Sequence, residues 1–145
     1  LVLGCDMAVA AGNAYFTTAY SSIALSGDGG VSWFLPRILG RRKAFELLLL
    51  ADRFGADEAL RLGVVNRVVA PEELEAATDA LVQRFVKGPR EAYAEMKRLL
   101  VASPEQSLSA QLQLEAEAFA RSSARPNFDE GIRAFLEKRK PGFNA

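Results

Sequence analysis

"SIALSGDGGVSWFLPRILG", residues 22–40, is the stretch on which the reading of this chain turns. Asp28 stands between Gly27 and the pair Gly29–Gly30, just before an aromatic and aliphatic run. Glycine lacks a Cβ, so such a cluster makes a tight turn or lets backbone approach a ligand closely. An acid held there has two uses. It can cap the first turn of a following helix, where Asp is among the preferred residues. It can also stand in a ligand cleft as a proton-transfer group. The residues after the glycines predict a helix beginning near Gly29, with Asp28 as its cap. Pro36, which has no N–H and clashes with the preceding turn, should end that helix near Leu35.

Upstream, residues 5–11 alternate, with Cys5, Met7 and Val9 on one face and Asp6, Ala8 and Ala10 on the other, which is strand periodicity. The opening "LVLGCDMAVA" therefore reads as the middle of a buried strand, and an N-terminal part of the protein is expected to precede it. Gly12-Asn13 can turn the chain. Residues 15–18 favour β structure, and residues 22–25 offer another short strand. Downstream, Ala44, Leu47, Leu48 and Ala51 share a helical face, "GADEALRLG" reads as a short helix from Ala56 to Gly63, and "VVNRVV" is extended. Pro71 opens a helix at a favoured first position, with Glu72 and Glu73 near its positive end, and Gly88-Pro89 stops it. Tyr93, Met96 and Leu100 mark a second helix. Pro104 starts a third, with Leu108, Leu112, Ala116 and Phe119 along one face. Asn127 can cap a last helix, whose apolar stripe is Phe128, Ile132, Phe135 and Leu136. The organisation is a small β-containing region, residues 1–70, followed by a helical region, residues 71–145.

The chain has 145 residues, half of them apolar and a quarter charged, an ordinary globular balance. Lys plus Arg equals Asp plus Glu at 18 each, which argues against a broad electrostatic footprint for nucleic acid. The longest apolar run, residues 45–51, is broken by Glu46 and falls far short of the ~20 residues that span a bilayer. Cys5 is the single cysteine, so no disulfide closes within the chain. A reducing compartment, the cytoplasm, is the simpler expectation. There is no histidine, which excludes Ser-His-Asp and Cys-His catalysis within this chain and removes the commonest metal ligand. Proton transfer falls to Asp, Glu, Tyr, Lys or water.

"CDMAVAAGNAYF", "IALSGDGGVSWFLPRILG", "GADEALRLGVVNRVV" and "FDEGIRAFLEKRKPGF", in this order and spacing, resemble the C-terminal half of the crotonase superfamily, the enoyl-CoA hydratases and isomerases. The resemblance covers nearly the whole chain. It implies an α/β fold, the end of a ββα spiral followed by a helical trimerisation region. It implies acyl-CoA thioester substrates and an oxyanion hole of two backbone N–H groups, both supplied by segments before Leu1. It implies no cofactor and no metal, CoA being part of the substrate. The physical logic suits the composition. Removing a proton beside a thioester puts charge on its oxygen, and fixed donors stabilise that charge more in the transition state than in the ground state.

The resemblance also distinguishes branches. Of the two hydratase glutamates, the first falls before Leu1 and the second at Tyr20, which is no carboxylate. Asp28 falls where ring-epoxide isomerases carry an acid–base aspartate and where aromatic-thioester dehalogenases carry a nucleophilic one. The expected activity is therefore acyl-CoA isomerisation with Asp28 as acid–base. Hydration, dehalogenation and a non-catalytic acyl-CoA binder or scaffold remain as alternatives. Tyr20, Gly29, Gly30 and Trp33 are the candidate pocket residues, each with packing or turn formation as its plainer role. Phe135 and Lys138 are expected, by resemblance, to reach the CoA of a neighbouring subunit in a trimer or dimer of trimers. A C-terminal cation equally suits the helix dipole. Asp6 is read as a structural hydrogen-bonding group, Cys5 as packing, and Arg37 carries no assigned chemistry.

Overall fold

The computed structural model describes residues 1–144. It divides into two compact units, Leu1–Asp79 and Ala80–Ala145. Among the described residues no helix is long and apolar enough to cross a membrane.

The first unit contains β1 (Val9–Ala11), β2 (Tyr15–Phe16), α1 (Val31–Leu39), α2 (Arg41–Leu50), β3 (Phe54–Gly55), α3 (Ala56–Arg61) and β4 (Arg67–Val69). The helix α4 (Leu74–Val86) follows a 3-10 turn at Pro71–Glu73 and crosses the boundary. β1 pairs in parallel with β4, Ala10 opposite Val68. A parallel pair needs a long crossover, and here α1, α2 and α3 lie in it. β2 and β3 pair antiparallel, which stacks Phe16 on Phe54 with ring centroids 5.6 Å apart. The core consists of two clusters. Ala10, Ala56, Ala59, Val64 and Val65 form one, and Leu35, Ala44 and Leu47 form the other, between α1 and α2.

Four local expectations are corrected here. Residues 2–4 form a 3-10 turn, not a strand, with Gly4 N–H donating to Leu1 O at 2.9 Å. A ladder is only as long as its partner. β4 ends the pairing at Val9, and Asn66 finishes it by accepting from Ala8 N–H through Oδ1 at 2.8 Å. Residues 22–25 likewise form no strand; Ser21–Ile23 is a 3-10 turn closed by Ala24 at φ +57°. Pro36 does not end α1, which runs on to Leu39. Proline deprives only the Ser32 carbonyl of a helical partner. The next turn is secured by Gly40 N–H to Pro36 O at 2.9 Å and by Leu35, 2 % exposed, packed on Ala44 and Leu47. Finally, the Asp28 carboxylate does not cap α1. Gly30, at φ +83°, holds the N-cap position, and Asp28 contributes its backbone carbonyl to Val31 N–H at 3.0 Å.

The second unit contains the end of α4, then α5 (Arg90–Ala102), α6 (Leu108–Ser123) and α7 (Pro126–Leu136). Ser107 caps α6 by accepting from Ala110 N–H at 3.2 Å. Glu95 of α5 meets Arg121 of α6 at 3.0 Å, and Gln111 Nε2 donates to Leu99 O at 3.2 Å. Asn127 is not the cap of α7; Arg125 holds that position. Asn127 instead uses its amide across the unit, donating to Glu91 at 2.7 Å and accepting from Asn144 N–H at 2.8 Å. The apolar stripes read from sequence on α6 and α7 lie outward. Phe119 is 69 % exposed and Phe135 80 %, whereas the buried residues are Ala118 and Ala134.

Candidate functional site

The glycine loop and the segment after β2 meet at one point. Tyr20 Oη donates a hydrogen bond of 2.7 Å to Asp28 Oδ1. The two residues are eight apart, and the intervening 3-10 turn with Ala24 in the left-handed region folds the chain back to bring them together. Tyr20 O itself accepts from Ile23 N–H at 3.2 Å and Leu25 N–H at 3.0 Å, so the turn is built on the tyrosine's own backbone. After Asp28, Gly29 and Gly30 both take positive φ, +57° and +83°, which lets the chain reverse into α1.

The Asp28–Tyr20 pair opens onto a cavity of about 670 Å³. Its walls are largely apolar, with Val31 and Leu35 of α1, Leu47 of α2, and Phe16 and Phe54 from the β2–β3 pair among them. Thr17, Thr18 and Gly29 also line it. Ionising Tyr20 would destroy its bond to Asp28. That bond, with desolvation and the carboxylate's charge acting in the same direction, holds the phenol above its ordinary pKa. Tyr20 thus remains a donor through the neutral range, and Asp28 presents a carboxylate whose Oδ1 is fixed. A carboxylate oriented by a phenol at the edge of an apolar cavity is equipped to take a proton from a bound molecule and return it.

The sequence-derived candidates are distributed unevenly. Asp28, Tyr20 and Gly29 line the cavity; Gly30 and Trp33 do not. Gly30 faces the Phe34 ring, which a Cβ would meet at 3.0 Å. Trp33 is 44 % exposed and carries the Arg37 guanidinium 3.9 Å above its ring, edge-on to Phe34. Phe135 and Lys138 lie together on the surface of the second unit, with Lys138 N–H donating to Phe135 O at 3.2 Å. Cys5, read as buried packing, is exposed and lines the cavity. Sequence reading missed the Tyr20–Asp28 hydrogen bond and the two threonines before Tyr20. The polar pair Thr17-Thr18 at the end of a short strand was the available signal.

The fold is a crotonase fold. A solved enoyl-CoA hydratase from Polaromonas sp. JS666 superimposes with a TM-score of 0.91 at 39 % identity, over 96 % of this chain and 54 % of that one. The family description that matches, across residues 1–145, is enoyl-CoA hydratase/isomerase, and the chain belongs to that family within the crotonase superfamily. A relative from Rhodobacter capsulatus named "Probable enoyl-CoA hydratase" is 37 % identical over 99 % of this chain and 56 % of its own length. The 1,2-epoxyphenylacetyl-CoA isomerase of Escherichia coli K12 is 33 % identical over 99 % of this chain and 55 % of its own length. The chain spans about half the length of the curated relatives it matches.

Proposed function

We propose that the protein isomerises an acyl-CoA thioester through an enolate, with Asp28 as the acid–base group. The observation that carries this reading is the Asp28 carboxylate at the cavity edge, its Oδ1 engaged by Tyr20 at 2.7 Å. Oδ2 is the oxygen assigned to proton transfer. It removes a proton next to the thioester carbonyl and delivers it to another carbon or to an epoxide oxygen. A single carboxylate that both takes and returns the proton suits isomerisation, in which no atom is gained or lost. Hydration by paired carboxylates needs a second acid, and Tyr20 stands at the position where the resemblance implied one. The apolar cavity walls fit an acyl group and keep water from the enolate. The likeness to the named epoxide isomerase supports the same choice.

We further propose self-association into a trimer or dimer of trimers, in which Phe135 and Lys138 reach a neighbour's CoA; the exposed apolar faces of α6 and α7 are what favours a partner surface there.

The test is Asp28→Asn in the full-length protein, assayed for isomerisation and hydration over a panel of enoyl- and epoxyacyl-CoA thioesters. Loss of isomerisation by about a hundredfold or more, the scale of a positioned acid–base, is expected. Unchanged turnover in a folded variant overturns the assignment. An ester trapped on Asp28 after rapid quench would instead identify a nucleophile.

A further inference from the structure

The segment that delivers Tyr20 is strained and tied down at once. Ala19, the residue before Tyr20, has φ +36°, a left-handed conformation in which an L-residue's Cβ crowds the following carbonyl oxygen. Such strain persists only where the surroundings over-determine it. Here the surroundings are the two threonines and the last turn of α2. Thr18 Oγ1 donates to Leu47 O at 2.6 Å. Thr17 Oγ1 donates to Ala51 O at 3.0 Å and accepts from Ala19 N–H at 3.2 Å. Ala51, at φ +55°, is the left-handed C-cap of α2, and its own N–H donates to Leu47 O. Leu47 O therefore accepts from both Ala51 N–H and the Thr18 hydroxyl, using both lone pairs, while Thr17 serves the Ala51 carbonyl at the helix end, where carbonyls lack intrahelical donors and carry partial negative charge.

The same helix supports the other half of the pair. Leu47 packs on Leu35 of α1, and α1 begins three residues after Asp28. Tyr20 and Asp28 are therefore both referenced to α2, one through threonine hydroxyls and the other through core packing. The gap between phenol and carboxylate is set by how the Tyr20 loop docks on that helix end.

We propose that Thr18, assisted by Thr17, is a positioning residue whose hydroxyl bond to the end of α2 holds Tyr20 in hydrogen-bonding reach of Asp28. The kinetic consequence rests on the reading of Asp28 as acid–base; the geometric one does not. The two are separated by reading Tyr20 directly. NMR titration of ring-labelled tyrosines in the full-length protein, with Tyr20→Phe to assign the resonance, reports whether the phenol still faces the carboxylate.

In Thr18→Val, which keeps the shape and removes the donor, the Tyr20 titration is expected to fall toward that of free tyrosine. In Thr18→Ser, which restores the donor, it stays at the native value. Turnover should drop about five- to tenfold in Thr18→Val, the scale of one net hydrogen bond, with KM little changed and recovery in Thr18→Ser. Thr17→Val, at an exposed position, should lower the Tyr20 titration in the same direction, and it decides the matter if Thr18→Val does not fold. A Tyr20 titration unmoved in the folded valine variants overturns the inference. If the titration moves while Asp28→Asn keeps full activity, the positioning stands and the acid–base reading of Asp28 falls.

Discussion

Gly27→Ala is the smallest perturbation that reaches the Asp28 loop, and its sign follows from the structure. Unlike Gly29 and Gly30, Gly27 has no positive φ, so its backbone accepts alanine without conformational strain. Were space open, the substitution would stabilise the fold by roughly 0.4–1 kcal/mol through the unfolded chain. Space is not open. A Cβ at Gly27 collides with Val31 Cγ1, and Leu48 Cδ2 and Tyr20 Cδ2 stand at 3.8 and 3.9 Å behind it. Val31 opens α1, where a β-branched side chain has one strongly preferred rotamer, so it cannot turn aside cheaply. Overpacking of this kind costs about 1–3 kcal/mol. The expected net is a destabilisation of about 1–2 kcal/mol, read from the denaturant midpoint of the full-length protein. Gly55→Ala is the control, since Gly55 also lacks positive φ but has nothing near its Cβ position. The collision should also push the 27–28 loop outward and loosen the Tyr20–Asp28 bond, lowering turnover alongside stability. A Gly27→Ala protein as stable and active as Gly55→Ala would refute the steric reasoning.

Two further outcomes are expected from the C-terminal region. Glu130 is lowered to about 2 by the Arg139 guanidinium at 2.6 Å and then by the Gly142 N–H. Its folded value lies below the unfolded one, near 4.5. The stabilisation is therefore full above pH ~4.5 and lost as pH falls toward ~2. Arg139→Gln should raise the Glu130 titration toward the ordinary carboxylate range and speed amide exchange at Gly142, both read by NMR; an unmoved titration would contradict the assignment. For Lys138→Glu, light scattering should show unchanged assembly while CoA-thioester binding weakens about tenfold, roughly the worth of one charge-assisted contact to phosphate. Dissociated subunits would instead make Lys138 an interface residue.

What the sequence disclosed and what it concealed separate along one physical line. Features set by local chain chemistry were legible. These include the helices after Gly40 and Pro71, the stop at Gly88-Pro89, the short helix from Ala56 and the extended "VVNRVV". At these points glycine and proline act through their own backbone restrictions. Features set by a partner elsewhere were not. Residues 5–8 alternate as a strand should, yet the ladder with β4 begins only at Val9, opposite Arg67, and alternation without a ladder forms no sheet. Pro36 reads as a stop, but tertiary burial of Leu35 outweighs one missing helical bond. Asp28 reads as a cap because only its neighbours in sequence are visible there. Its real partner, Tyr20, is delivered by a turn whose left-handed alanines no propensity anticipates. The stripes on α6 and α7 carry the sharpest lesson. Large apolar residues at helical spacing mark one face of each helix, and the structure buries the small ones, Ala118 and Ala134, leaving Phe119 and Phe135 outward. Small residues let helices of one chain approach closely. Large ones left on the outside have area to lose to another surface, and that area is worth about 25 cal/mol per Å² once removed from water. Two apolar edges on one helix are distinguishable in a sequence only by residue size.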